Sequence, residues 1–419
     1  MNAPSHRPQL WPEITALMLC AMLFFTFTIG IGILNGSDIV DFDRRRVLGH
    51  VHSGTLGWLT LSVFAATLWL FGELRSVADR ERQVVRGLVV LAVLSFGAYV
   101  AAFSTTYGNA RPIFGVTSLA VIAGFSLWAL YRARGAELSV PHLGFLAALG
   151  TSIVGGVLGV LLGLEIATGN NFLPDGGEDA HPATMTVGFL IPVALAMSEW
   201  AFFFPKPPRA TRLGFIQMVF PFVGGIVLML SLLFDFTALA PIAILLEFVG
   251  LGIFFYRLWP RFRQVPLLEA TPARHAIATS LAILFALGLA QYWIIKYDGD
   301  FDRVPDADLT GLSHAEFIGT MTNAVFAMLL AATVGTVGSV RAQADPPQIT
   351  RNLRLPMSDG VELEVKVLVL GRDSGVSNKH AFHRRELPSE SPITQSTRQA
   401  FETKNSRRVK ERISGSPSA

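Results

Sequence analysis

Residues 47–71 read VLGHVHSGTLGWLTLSVFAATLWLF, an apolar run that carries two histidines near its start. At a rise of about 1.5 Å per residue, a helix of this length crosses the hydrocarbon core of a bilayer, which is about 30 Å thick. An ionisable or metal-binding side chain is costly at membrane depth and usually has a function there. His50 and His52 are therefore candidate functional residues, and the remaining chain is interpreted around them.

The composition indicates a membrane protein. The chain has 419 residues, of which 51% are hydrophobic and 16% are charged, and its mean hydropathy is +0.47. Soluble domains carry about 25% charged residues. We predict an all-α, polytopic transmembrane helical bundle and exclude a soluble enzyme. The single cysteine, Cys20, excludes an intrachain disulfide and a cysteine-based zinc or iron–sulfur site.

The apolar runs predict two domains, a helical bundle over residues 1–338 and a polar, basic tail over 339–419. Most of the tail has the composition of a disordered segment, although residues 361–370 alternate like one strand without an evident partner. Nucleic-acid binding has no support beyond this basic tail. The bundle contains ten predicted spans, at about residues 13–34, 47–71, 87–106, 113–131, 142–166, 182–204, 213–234, 239–258, 275–295 and 312–336.

The positive charges predict the orientation of the bundle. Lysine and arginine follow the even-numbered spans, at residues 75–86, 132–134, 206–212 and 257–274, whereas the connections at 170–180 and 297–308 are acidic. Because basic connections stay on the cytoplasmic side, we expect both termini to be cytoplasmic. The expected location is a cell membrane of the bacterial inner-membrane type, with the lipid bilayer as the main partner.

Three consecutive arginines, Arg44, Arg45 and Arg46, break this charge rule because they precede span 2 on the predicted outer side. They could pair with Asp38, Asp41 and Asp43 or with lipid phosphates. Alternatively, they form a guanidinium cluster for the carboxylates of a bound cofactor, such as haem propionates, because arginine binds carboxylates bidentately.

Four histidines begin even-numbered spans and so fall at a similar depth near the outer face: His50 and His52 in span 2, His181 in span 6 and His314 in span 10. Imidazole ligates haem iron and copper. A haem between two helices needs one histidine from each. His50 and His52 point about 200° apart on a helix, so one site would use only one of them.

Spans 2 and 10 offer such a pair of axial ligands. Both contain the spacing His-x4-Gly, from His52 to Gly57 and from His314 to Gly319, and the glycine leaves room for a macrocycle or a close helix. We favour His52 over His50 as the ligand from span 2. His181 could ligate a second metal or form a hydrogen bond at the mouth of the bundle.

The chain resembles the haem–copper oxidase subunit I superfamily, including its cbb3-type, nitric-oxide-reductase-like and NnrS-like branches. The resemblance rests on GHVHSGTLGW at 49–58, on His181-Pro182 with GFLIP at 188–192, and on SHAEFIG at 313–319. It implies that His52 and His314 are axial haem ligands and that His181 is a metal ligand. Span 7 lacks the family's adjacent histidines and span 10 has only one, which favours a haem site without a complete copper centre.

Two classes of function follow. The first is a membrane haem protein with a redox, electron-transfer or NO-, O2- or copper-related role. Its cofactor would be a b-type haem, with copper as a second candidate metal. Its partner would be an electron donor or another membrane subunit. Whether it is an oxidoreductase is left open by the sequence. The second is a metal-free membrane transporter or scaffold whose histidines lie at the outer pore mouth.

Overall fold

The computed structural model describes residues 8–37, 39–105, 110–204, 206–269, 271–297, 303–331, 348–356, 362–369 and 380–383. The chain divides into two compact units, Met1–Ser339 and Val340–Ala419. This boundary lies close to the one expected from the change in composition at residue 338.

The described part of the first unit is helical, as predicted. Nine of its helices are long and apolar enough to cross a membrane, and they coincide with the first nine predicted spans: α1 Trp11–Gly36, α2 Arg44–Gly72, α3 Asp79–Phe103, α4 Ala110–Ala133, α5 Val140–Thr168, α6 Gly177–Phe203, α7 Arg212–Leu233, α8 Ala240–Phe262 and α9 Pro272–Lys296. A further helix, α10, begins at Asp306 and is described as far as residue 331. The end of the predicted tenth span lies outside the described residues.

The second unit contains three described strands, β1 Gln348–Pro356, β2 Glu362–Val369 and β3 His380–His383. They form an antiparallel sheet in the order β1-β2-β3, with Leu353 opposite Val365 and Val365 opposite Phe382. The strand expected at 361–370 is therefore β2, and it has two partners where the sequence showed none. The remaining tail residues, for which we predicted disorder, lie outside the described residues.

The two central helices are α2 and α6. In their apolar windows 78% and 72% of the residues are buried, against 17% in α1, whose apolar side chains face outward. In a bilayer those outward-facing side chains would contact lipid. The histidine-bearing helices α2 and α6 thus lie inside the bundle, where a polar group can meet another polar group.

Three helices are interrupted by π-helical segments, where the sequence predicts uninterrupted α-helices. These segments are Ser53–Thr60 in α2, Thr184–Leu190 in α6 and Ala315–Thr322 in α10. Threonine hydroxyls support two of the segments by donating to the carbonyl five residues earlier, from Thr60 to Thr55 (2.8 Å) and from Thr322 to Phe317 (3.1 Å). In an α-helix the same hydroxyl would reach the carbonyl three or four residues earlier. Single-turn π segments occur often at functional sites.

Candidate functional site

The three π-helical segments meet near one end of the bundle. The segment of α10 contacts those of both α2 and α6. The indole Nε1–H of Trp58 donates a 3.1 Å hydrogen bond to Thr322 Oγ1, and both residues are buried. The histidines that precede these segments, among them His52 and His314, therefore lie at the same end of the bundle.

His52 is held by its own helix and by two aromatic rings. Its imidazole stacks on Phe103 at 4.1 Å between ring centroids, and Tyr99 meets it edge-on at 5.4 Å. The Nδ1–H donates to the Leu48 carbonyl over 2.8 Å. A carbonyl oxygen only accepts hydrogen bonds, so Nδ1 carries the proton and Nε2 of the neutral ring keeps a lone pair. Such a nitrogen can bind a metal.

His181 and His314 have the same arrangement. Nδ1–H of His314 donates to the Thr310 carbonyl over 2.7 Å, and that of His181 donates to the Gly155 carbonyl of α5 over 2.8 Å. The His181 ring fits only because residue 159 is glycine, since a Cβ there would lie 2.6 Å from its Cε1. A backbone carbonyl on Nδ1–H is the usual outer partner of a metal-bound imidazole.

His50 lies between α1 and α2. A Cβ on Gly32 would lie 3.1 Å from its Cε1, so glycine again makes room for an imidazole. Thr28 fixes the local backbone by donating to the His50 carbonyl over 2.9 Å and by sharing a 2.8 Å hydrogen bond with Ser53. His50 Nδ1 is buried and has no hydrogen-bond partner among the described residues. A buried polar atom in this state costs about 1–3 kcal/mol unless a ligand meets it.

Electrostatic interactions connect the four histidines in two sets. The charge of His314 acts on His50, and the charge of His181 acts on His52. The pairing of His52 with His314, which we favoured from the sequence, stays a prediction, although the charges that act on His52 are those of His181 and Arg111. The two pairs agree with the opposite directions expected of residues two apart in a helix.

The glycines of the His-x4-Gly spacing accommodate neighbouring helices. The position of a Cβ on Gly57 is taken by the Phe24 ring of α1, and a Cβ on Gly319 would lie 3.2 Å from Ala282 of α9. The sequence left open whether these glycines make room for a macrocycle or for a neighbouring helix. In this structure they make room for neighbouring helices.

The three arginines at the start of α2 are exposed. Arg44 pairs with Glu178 at 3.0 Å, with side chains 81% and 70% exposed, and so joins the ends of α2 and α6. Asp43 caps α2 by accepting the backbone N–H of Arg46 over 2.9 Å. An exposed ion pair contributes little to stability. The cluster, which includes Arg45, therefore keeps guanidinium groups available at the histidine end of the bundle.

Sequence reasoning missed a buried arginine beside His52. Arg111, at the start of α4, is 8% exposed and lies 4.4 Å over the Phe103 ring, whose plane also stacks on His52. Its Nε has no partner among the described residues. The sequence contained one indication of its role. Arg111 lies in a connection on the predicted outer side, where the charge rule expects few arginines, as Arg44, Arg45 and Arg46 do.

Two further polar groups lie inside the bundle. Glu199 accepts two hydrogen bonds from Arg257, at 2.8 and 2.9 Å, and Gln217 joins this ion pair. Glu247 is 1% exposed, and neither carboxyl oxygen has a partner among the described residues. Glu199 thus has a structural explanation, whereas the carboxyl group of Glu247, in the middle of α8, has none.

Among the residues that the structure describes, no three His, Cys, Asp or Glu side chains form a group that could hold a metal ion. Comparison of the chain with protein-family models, curated proteins and solved structures finds no match. Membership of the haem–copper oxidase superfamily therefore stays a prediction from short motifs.

Proposed function

We propose that this chain is a membrane haem protein in which His50 and His314 are the axial ligands of one haem between α2 and α10. The observation that carries the proposal is the contact between the π-helical segments that follow these histidines in α2 and α10, which Trp58 and Thr322 join by a 3.1 Å hydrogen bond. A haem brings its own four equatorial nitrogens and takes up to two axial ligands from the protein. One histidine from each of the two helices would therefore be the complete set of protein ligands for such a cofactor.

The residues present fit this group. The buried Nδ1 of His50 has no described partner, so it can carry the proton and leave the lone pair of Nε2 for iron. His314 offers Nε2, while its hydrogen bond to the Thr310 carbonyl fixes the ring and makes the nitrogen a better donor. Arg44, Arg45 and Arg46 begin the same helix and suit the two propionates of a haem. The sequence alternative, His52 with His314, uses the same two helices.

A b-type haem would supply one-electron redox chemistry. We propose electron transfer as the role of this site. The alternative role is binding or conversion of NO or O2 at the same haem. The protein residues would hold and orient the ring, and burial in α2 would tune its potential. An electron donor or a partner membrane subunit is implied. We also propose a cell membrane of the bacterial inner-membrane type, ten spans, cytoplasmic termini and an outward-facing histidine end.

The resemblance to haem–copper oxidase subunit I supports this proposal at the level of topology, because the same even-numbered helices carry the histidines. A complete oxygen-reducing centre is not part of the proposal. Such a centre also needs two adjacent histidines in α7 and two histidines in α10. Helix α7 has no histidine, and the described part of α10 has one.

The test is the optical spectrum of the detergent-purified protein, oxidised and after reduction, with haem quantified per chain. We expect a b-type α band that disappears in His50→Ala and in His314→Ala and persists in His142→Ala, a matched histidine at the other end of the bundle. If the α band is lost in His52→Ala and kept in His50→Ala, the axial ligand from α2 is His52, as favoured from the sequence. A protein that stays colourless after haem is supplied would overturn the proposal.

The alternative, a metal-free transporter, is favoured by one observation. Glu247 places a carboxyl group inside the bundle with no partner among the described residues, as a proton-coupled site would. If the protein binds no haem, proton-coupled uptake by vesicles containing the protein or its Glu247→Gln variant becomes the next measurement.

A further inference from the structure

A cleft of about 810 Å³ lies between the starts of α5 and α7, at the end of the bundle opposite His181. The connections that precede these two helices pair with each other at the cleft. The backbone N–H of Ala210 donates to the Leu138 carbonyl over 2.8 Å, and Ser139 forms a β-bridge with Arg209. The two helix starts are therefore held at a fixed separation, and the cleft is part of the fold.

Two arginines and one glutamate are the charged residues that line the cleft. Arg209 pairs with Glu137 at 2.7 Å, but their side chains are 72% and 73% exposed. Such an exposed pair is weak, so a phosphate group can replace Glu137 as the partner of Arg209. Arg212 is exposed and forms no ion pair within the described part of the chain. Guanidinium groups bind phosphate oxygens bidentately.

The inner wall of the cleft is apolar. It is formed by Leu143 of α5 and by Phe215 and Ile216 of α7, of which the latter two are 54% and 41% exposed. Below this wall the two helices come together, since a Cβ on Gly144 would lie 3.1 Å from Sδ of Met218. The cleft thus has a basic rim and an apolar interior, which suits an amphiphilic ligand.

An exposed apolar stripe continues from the cleft along α7. Ile216, Val219 and Val223 follow Arg212 by four, seven and eleven residues, and so lie within about 60° of one another around the helix. Their side chains are 41%, 37% and 38% exposed. From Arg212 to Val223 the stripe is about 16 Å long, close to half of the hydrocarbon core of about 30 Å. An arginine above a stripe of this length matches the phosphate and one acyl chain of a lipid in a single leaflet.

The charge at this end of the bundle favours an anionic lipid. The connections here are the basic ones of the chain, and each lysine or arginine near a membrane surface attracts anionic lipid by about 1 kcal/mol. The ammonium group of a zwitterionic headgroup would instead meet two guanidinium groups. The assignment to the cytoplasmic leaflet rests on the proposed orientation, whereas the binding itself does not.

We propose that the cleft between α5 and α7 binds one anionic phospholipid, with its phosphate on Arg212 and Arg209 and an acyl chain against Phe215, Ile216 and the stripe of α7. The site shares no residue with the proposed haem site, so each can fail without the other.

The test is native mass spectrometry of the delipidated, full-length protein titrated with phosphatidylglycerol in detergent micelles. We expect one lipid per chain to bind first. Arg212→Gln should weaken this binding by about 5-fold or more. Arg263→Gln, which replaces an exposed arginine at the same end but outside the cleft, is the matched control and should leave it unchanged. Glu137→Gln should strengthen it, because the carboxylate that competes for Arg209 is removed.

Three outcomes would overturn the site. These are equal affinity for phosphatidylcholine and phosphatidylglycerol, equal effects of Arg212→Gln and Arg263→Gln, and displacement of the lipid by an excess of inorganic phosphate, which would indicate a simple anion site. Circular dichroism and gel filtration of each variant establish that it is folded. The haem content of Arg212→Gln should equal that of the unmodified protein, which separates this proposal from the proposed function.

Discussion

Trp58 of α2 and Thr322 of α10 are joined by a 3.1 Å hydrogen bond between two π-helical segments, in the interior of the bundle. The Trp58 ring also stacks on Phe25 of α1 at 4.4 Å between centroids. This contact fixes the separation of α2 and α10 a short distance below His50 and His314. The geometry of the proposed haem site therefore depends on a pair of residues that would not touch the haem.

Thr322→Val tests this connection. The variant keeps the shape of the side chain but leaves the buried indole N–H without its acceptor, and we expect a loss of about 1–3 kcal/mol in the free energy of unfolding. Denaturant titration in detergent micelles measures it. Thr26→Val is the matched control, because the exposed Thr26 hydroxyl only donates to the Met22 carbonyl of its own helix. Equal losses in the two variants would mean that the hydrogen bond contributes nothing.

Gly159→Ala should displace His181. The added methyl group would lie 2.6 Å from the His181 ring, which must then move away from α5 or strain the helix pair. We expect about 1–3 kcal/mol of destabilisation. In Gly163→Ala, one turn further along α5, the methyl group meets nothing within 4 Å, and the better helix propensity of alanine should leave stability unchanged or raised by up to about 1 kcal/mol. A Gly159→Ala variant as stable as Gly163→Ala would contradict the tight fit.

Glu199→Gln and Glu247→Gln should differ in their effect on stability. Glu199 forms a bidentate ion pair with Arg257, and its replacement leaves a largely buried guanidinium uncompensated, for an expected loss of about 3–5 kcal/mol. Glu247 has no described ion partner to lose, and glutamine keeps its shape, so we expect a change within about 1 kcal/mol. Thermal unfolding in the same detergent compares the two. A large loss in Glu247→Gln would reveal a partner that the described residues do not include.

The proposed orientation predicts which connections a membrane-impermeant thiol reagent reaches in intact cells. In a Cys20→Ser background, which removes the single native cysteine, Asp175→Cys should react before lysis and Arg80→Cys only after it. Asp175 is exposed in the connection before α6, and Arg80 is exposed at the start of α3. The main difference between them is therefore the side of the membrane on which each lies. The reverse pattern would place the histidine end on the cytoplasmic side.

The positions of the helices follow from the sequence because a bilayer requires apolar runs of nearly constant length. Their ends follow less well. Helix α3 begins at Asp79, a full two turns before the predicted span at 87, since its polar first turns are helical without being apolar. Asp79 and Glu81 favour a helix N-terminus there, and Glu81 also accepts a hydrogen bond from Trp128 of α4.

The candidate site is only partly readable from the sequence. Each of the four histidines was identified from its place in an apolar run, but their pairing depends on which face each helix turns to its neighbours. The partners Phe103 and Arg111 come from α3 and α4. Their relation to His52 appears only when the helices are packed.

The π-helical segments also determine how the insertion or deletion of one residue would change the directions in which the histidines point. A π segment holds one residue more than the α-helical turn it replaces, and so it rotates everything before it by about 100° relative to everything after it. Deleting a single residue from Ser53–Thr60 would turn His50 and His52 toward different helices while Leu61–Gly72 kept its buried contacts. The same holds for α6 and α10. In this bundle, the insertion or deletion of one residue in a π-helical segment would therefore change which helices the histidines face without altering the buried core.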